Sequence, residues 1–245
     1  MIEAEGLNKY YGSFRAVDTL SFRVEAGQIM GLVGPNGAGK TTTLRCLSGI
    51  IPATSGRARI ADRDVASDPV AAKQQLAFIP DEPRLFEHLT VEQHLNFVAR
   101  LYQVGDWRER AQPLLDELEM GDKRGLLPSE LSRGMKQKLA IACGLIHRPQ
   151  AVILDEPLTG LDPYGIRRMK DTMRKLAAEG AAIILSSHLL DLVQEVCTHL
   201  LILKQGQKIA AGSVAEVRER YQVEGGASLE EVFFRATADE REPLV

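Results

Sequence analysis

Long apolar runs are missing from this sequence. The longest, such as "AAIIL" and "HLLIL", fall far short of the about 18 residues that a membrane-spanning helix needs. The N-terminal "MIEAEGLNKYYG" lacks the basic-then-apolar pattern of a secretory signal. A cytoplasmic protein is therefore expected, with any membrane role arising through a partner. Cysteine is scarce. Cys46, Cys143 and Cys197 share no close spacing and lie in apolar helical contexts, which argues against metal or disulfide chemistry and for reduced core thiols. An excess of either charge is also lacking. Thirty Lys and Arg against 33 Asp and Glu leave a net charge of −3, so no basic footprint points to nucleic acid. Low-complexity tracts, repeats and long Gly- or Pro-rich linkers are absent too. What remains is one continuous chain of 245 residues, long enough for a sizeable core.

Strand-like stretches come first: "IEAEGL", "DTLSFRV", "QIMGLVG" and "GRARIA". After them, apolar runs alternate with amphipathic helices, the pattern of a mainly parallel sheet. "AVILD", "AAIILSS" and "HLLILK" are short and apolar, as strands buried on both faces should be. Asp162 and Pro163 open a helix that runs to Gly180, with an N-cap, a Pro at the first position and a closing Gly. Roughly residues 86 to 148 contain helices and no convincing strand. There "LTVEQHLNFVARLY" starts with a capping box from Thr90 to Gln93, and Leu95, Val98 and Leu101 are expected along one face. The expected fold class is α/β, a parallel-sheet core with a small antiparallel β part and a helical insert. Residues 1–236 are read as one domain. They close on a Gly-rich link and one amphipathic helix, followed by a charged tail at 237–245.

"GLVGPNGAGKTT" follows a strand and precedes a helix, and it contains G-x-x-x-x-G-K-[ST] from Gly34 to Thr41. In such a loop the backbone N–H groups of Gly34, Pro35's successor Asn36, Gly37, Ala38 and Gly39 turn inward around phosphate oxygens. Lys40 reaches the β- and γ-phosphates, Thr41 offers its hydroxyl to Mg²⁺, and Thr42 continues the helix start, whose dipole adds to the attraction. A nucleotide triphosphate, taken with Mg²⁺, is the expected ligand. "AVILDEP" ends a buried strand in Asp155 and Glu156, where open α/β sheets bind ligands. Asp155 is placed to hold Mg²⁺ through water, and Glu156 to orient and deprotonate the attacking water. His188, just after "AAIILSS", stands at the same sheet edge and is expected at the γ-phosphate.

Far from this loop, "LSRGMKQKLA" places Ser132 and Gly134 at the start of an amphipathic helix anchored by Leu139, Ala142, Cys143 and Ile146. Ser132 can cap that helix, and Gly134 permits close backbone approach. On its own this is an ordinary N-cap.

Taken in order, Tyr11 in "KYYG", the phosphate loop, "PDEP", the helical stretch, "LSRGM", "AVILDEP", "GLD" and His188 make the chain resemble the ATP-binding cassette (ABC) family along nearly its whole length. The resemblance implies a P-loop NTPase core that hydrolyses ATP. It implies that Tyr11 stacks on adenine, that Glu156 is the catalytic base and that Asp162 lies between two nucleotide-binding subunits. It also implies that two chains pack head to tail, so that Ser132 and Gly134 of one close on the γ-phosphate held by the other. The partners implied are a second ATP-binding subunit, in a homodimer, and an integral-membrane permease docked between the helical insert and the "PDEP" loop. Nucleic acid is not among them. The absence of an added regulatory domain after "SLEEVFFRAT" resembles the export-type branch. Two alternatives are weaker: ABC ATPases working on nucleic acid or ribosomes usually carry two cassettes or a coiled-coil insertion, and a non-hydrolysing ATP-binding regulator would not need Glu156 and His188.

Three residues, at two places in the chain, depart from the family's pattern. Arg133 and Met135 replace a Gly and a Gln in the signature, and Asp81 stands where the family has a Gln that touches Mg²⁺ or the attacking water. The resemblance carries Asp81 over as a metal contact, firmer than Gln because it is charged, or else leaves Asp81 pointing away with neighbouring Glu82 in its place.

Overall fold

The computed structural model describes residues 1–221 and 229–237. The expected Gly-rich link and the tail beyond Thr237 lie outside the described residues. Strands β1 (Ile2–Tyr11) and β2 (Phe14–Val24) form an antiparallel hairpin that runs from Ile2 opposite Val24 to Tyr11 opposite Phe14, with three register shifts between Ala4 and Tyr10. Ile2 and Ala4 point inward in two-residue alternation, and an irregularity between Ala4 and Leu7 brings Leu7 inward as well. β3 (Ile29–Val33) is buried throughout and leads through the phosphate loop into α1 (Lys40–Leu47). β4 (Ser55–Ile60) pairs with β1, and β5 (Arg63–Asp64) completes an antiparallel sheet of order β2-β1-β4-β5. Leu44 and Leu47 of α1 pack between Leu7 and Leu20 of that sheet and Leu32 of β3. The helix that starts at the phosphate loop is thus clamped by both sheets.

α2 (Pro69–Gln74), opened by its Pro, and β6 (Leu76–Ile79) precede a helical stretch. α3 (Val91–Leu101) has the expected capping box: Thr90 Oγ accepts from the Gln93 N–H, and the Gln93 side chain accepts from the Thr90 N–H. Its buried face differs from the expected one. Val91, Leu95 and Ala99 are inside, whereas Leu101 is 67% exposed. At 3.6 residues per turn, steps of four residues drift by only about 40°, while Leu101 lies six residues past Leu95 and about 240° round the helix. α4 (Trp107–Glu117) and α5 (Arg133–Leu145) complete the stretch, and no strand occurs among the described residues 86–148. Leu139, Ala142 and Ile146 are buried, with Cys143 packed against them.

β7 (Ala151–Asp155), α6 (Pro163–Ala178), β8 (Ala182–Ser186), α7 (Leu190–Val196) and β9 (His199–Lys204) follow in alternation. β10 (Gln207–Ser213), α8 (Val214–Arg220) and α9 (Leu229–Thr237) end the described chain. The second sheet has the order β10-β9-β3-β8-β7-β6, parallel except for β10. Parallel pairing brings the carboxyl ends of β3, β6, β7 and β8 to one edge. Burial pushes the thiols of Cys46, Cys143 and Cys197 up to about 11, 12 and 12, so all three are unreactive packing groups near neutral pH.

His147, just after α5, stacks on Tyr102 at a ring separation of 3.9 Å, and neither ring nitrogen finds a hydrogen-bond partner. Burial drives its pKa down to about 4; the Leu76 backbone pulls weakly the other way without closing a good bond. Below the ordinary value of 6.5 the unfolded chain takes up a proton that the folded chain refuses. Stability from this group is therefore complete above pH 6.5, falls as pH drops through that value and levels off below about 4. Unfolding by urea at about pH 7.5 and about pH 5 should show a loss of about 2 kcal/mol that disappears in His147→Phe. An unchanged pH slope in the variant would remove His147 as its source.

Candidate nucleotide site

The loop after β3 exists because strand and helix both end at it. β3 stops at Val33, and α1 begins at Lys40 with Gly39 as its N-cap and no capping side chain, which leaves the first helical N–H groups to a ligand. Lys40 Nζ donates to the carbonyls of Gly34 at 2.6 Å and Pro35 at 3.2 Å, folding back over the loop. Burial lowers the pKa of this ammonium, and the carboxylates of Glu156 and Asp155 partly offset the effect. A half-buried cation with only carbonyls for partners suits a phosphate.

β7 brings the next two residues. Asp155 is 5% exposed, and its Oδ1 accepts from Ser186 Oγ at 2.6 Å and from Thr41 Oγ1 at 3.4 Å. The register sets Asp155 beside Ser186, so parallel pairing of β7 and β8 makes this contact. Ser186 Oγ also accepts from the Glu156 N–H at 3.0 Å. Ser186 is thus a site residue that the sequence reading missed; its only signal was a hydroxyl ending the strand before His188. A hydroxyl and a buried carboxylate 3.4 Å apart match the donor set that Mg²⁺ takes, since that ion completes its shell with phosphate oxygens and water. No cluster of three or more His, Cys, Asp or Glu able to hold a metal by itself occurs among the described residues.

Glu156 sits in the left-handed region at φ +49. For a non-glycine residue this costs about 1–3 kcal/mol and persists only where surroundings enforce it, here the bonds from its N–H to Ser186. The turn swings its carboxylate to His188: Nδ1 of His188 donates to Glu156 Oε2 at 2.8 Å, supported by the His188 N–H at 3.4 Å. Lys40, Thr41, Asp155, Glu156 and His188 therefore form one cluster at the sheet edge.

Of the other expected site residues, Asp81 shares one groove with Thr41 and Asp155, and the rest lie outside the cluster. Tyr11 ends β1 with its ring 49% exposed and Lys9 Nζ above it at 5.1 Å. Asp162 caps α6, its Oδ1 accepting from the Gly165 N–H at 2.7 Å. Ser132 caps α5 through the Met135 N–H at 3.2 Å and is itself exposed. Gly134 lies against the backbone of Gly160, where an added Cβ would come within 2.8 Å of the carbonyl oxygen. Asp81 pairs with Arg133 at 3.6 Å, a partner that its expected part as a metal contact did not include.

A parallel α/β sheet with a phosphate loop, a buried acid on the neighbouring strand and a carboxylate–imidazole pair defines a phosphate-loop nucleotide-binding protein. Comparison with known proteins narrows this. Residues 17–159 match the ABC transporter family. The chain is 32% identical to the ABC-type transporter ATP-binding protein EcsA of Bacillus subtilis over 98% of both chains. It is 35% identical to the Nod factor export ATP-binding protein I of Paraburkholderia xenovorans, over 100% of this chain and 81% of that one. A solved ATP-binding subunit of an ABC transporter superposes with a TM-score of 0.93 at 33% identity, over 97% of this chain and 100% of the other. The chain belongs to the ABC transporter family, as an ATP-binding subunit, and its members are ATPases that drive transport.

Proposed function

We propose that two copies of this chain close head to tail around ATP and Mg²⁺, and that hydrolysis drives a separate membrane permease in the export direction. One observation carries the proposal: the 2.8 Å pair of Glu156 and His188 stands beside the Thr41–Asp155 contact at the edge where the phosphate loop opens. Lys40, with the loop amides from Gly34 to Gly39 and the helix start at Thr41 and Thr42, binds the phosphates. Thr41 and Asp155 would hold Mg²⁺, which would neutralise charge on the phosphate oxygens. Glu156 takes a proton from the attacking water as its oxygen bonds to the γ-phosphorus, and the bond to the β–γ bridging oxygen breaks. His188, released from Glu156, contacts the γ-phosphate, and Tyr11 stacks on the adenine.

Ser132, exposed at a helix start, and Gly134, half-buried against Gly160, stand outside this cluster, and a second copy gives them a phosphate to close on. Asp162 then lies between the copies. The permease fits a groove of about 900 Å³ whose lining includes Arg84, Phe86, Val98, Leu101 and Tyr102. Phe86 and the displaced Leu101 are both exposed there, so a partner's apolar helix face would cover them. No helix among the described residues is long and apolar enough to cross a membrane. Through that partner the chain works on the cytoplasmic face. The export direction rests on likeness to a relative named for Nod factor export.

Size-exclusion chromatography of Glu156→Gln, with and without Mg²⁺-ATP, tests the dimer. A shift from monomer to dimer that needs ATP is expected. A protein that binds ATP and stays monomeric would refute closure by two copies of this chain alone.

A further inference from the structure

Two of the three residues at which the chain departs from its family's pattern, Asp81 and Arg133, lie 52 residues apart in sequence, and the fold brings them together. Arg133 is the first residue of α5, next to Ser132, and its guanidinium lies 3.6 Å from Asp81, in the loop after β6. Asp81 Oδ1 is shielded from solvent and has no hydrogen-bond donor, so this cation is its only close compensation among the described residues. The stem of Arg133 crosses Gly160, whose φ is +83; a side chain there would meet Arg133 Cδ at 3.0 Å and Cγ at 3.1 Å. That glycine thus clears a path for the stem between the signature loop and the segment after Glu156.

We propose that Arg133 is an additional phosphate-binding residue of the partner's ATP site, held in reserve on Asp81 while the chain is free of nucleotide. The proposal rests on head-to-tail closure as given above. Both side chains are about half exposed, at 58% and 47%, so the pair is weak and easily exchanged. A triphosphate arriving beside Ser132 carries more negative charge than one carboxylate, and an arginine can meet it with two parallel donors. Arg133 then leaves Asp81 for the γ-phosphate, acting in trans as arginine fingers do in other phosphoryl-transfer enzymes. Asp81 serves as an internal competitor that raises the ATP concentration needed for closure. A lysine in place of Arg133 would keep the attraction without the fork.

The test measures the ATP concentration at half-maximal dimerisation in the Glu156→Gln parent, by light scattering with Mg²⁺-ATP. Asp81→Asn should lower that concentration by up to about fivefold, the most an exposed pair of this kind is worth. Arg133→Gln should raise it by about tenfold or more, because a charge-assisted bond to phosphate is lost at each of two sites. Arg133→Lys should recover part of that loss, whereas Arg133→Met, which keeps an apolar stem over Gly160 without the charge, should not. The double variant Asp81→Asn, Arg133→Gln should match Arg133→Gln alone. A higher concentration for Asp81→Asn, as loss of a metal contact would give, overturns the proposal. So does an Asp81→Asn shift that survives without Arg133. A parent that never dimerises refutes the closure reading first and this inference with it, whereas a parent that dimerises with unshifted variants refutes this inference alone.

Discussion

Glu156→Gln is expected to bind ATP and turn it over at least about 10²–10⁴ times more slowly, the loss that removal of a general base brings. The amide nearly matches the carboxylate in size and still accepts a hydrogen bond from His188 Nδ1, now 2.8 Å away, so the turn at φ +49 and its bonds to Ser186 should survive. What it cannot do is take the proton from water. Single-turnover hydrolysis and equilibrium ATP binding, measured on the same preparation, separate the two effects. Parental turnover in the variant would transfer the base's role to another group and dissolve the site as drawn.

Gly39→Ala should be the most damaging single-methyl change in the phosphate loop. Gly39 has φ +97, a conformation that L side chains rarely adopt, and its Cβ would lie 2.4 Å from the Ala16 carbonyl oxygen. That oxygen belongs to β2, where Ala16 falls at a register shift between Arg15 and Val17, both paired to β1, so it cannot retreat alone. The left-handed penalty of about 1–2 kcal/mol and an overpacking cost of about 1–3 kcal/mol together predict a stability loss of several kcal/mol. ATP binding should fall with it, because the shift displaces the start of α1. Denaturant unfolding and nucleotide titration would check both, and a variant with parental stability and affinity would show that the loop is not braced against β2.

Both predictions also mark how much of the site could be seen before the fold was known. The phosphate loop was legible because its motif is local: eight consecutive residues from Gly34 to Thr41 turn, cradle and start a helix. Asp155 and Glu156 were legible because an apolar strand that ends in acids announces its own carboxyl end. The capping box of Thr90 and Gln93 was local too, and it formed as expected. The face of α3 beyond it was misjudged at Leu101, since helical spacing alone does not say which side a groove lies on.

Contacts between segments were illegible for a physical reason. Ser186 reaches Asp155 only because β7 and β8 pair in parallel with those two residues abreast, and nothing within "ILSSH" states that register. Arg133 and Asp81 read as two unrelated departures until the fold set them 3.6 Å apart. The sequence by itself determined a nucleotide-binding chain with its phosphate grip and its acids, because backbone turns and strand ends are written in neighbouring residues. Only the tertiary structure decided which groups share a charge, which hydroxyl holds the buried acid and which face stays open for a partner. Those are through-space quantities, set by sheet register and helix packing between residues tens of positions apart.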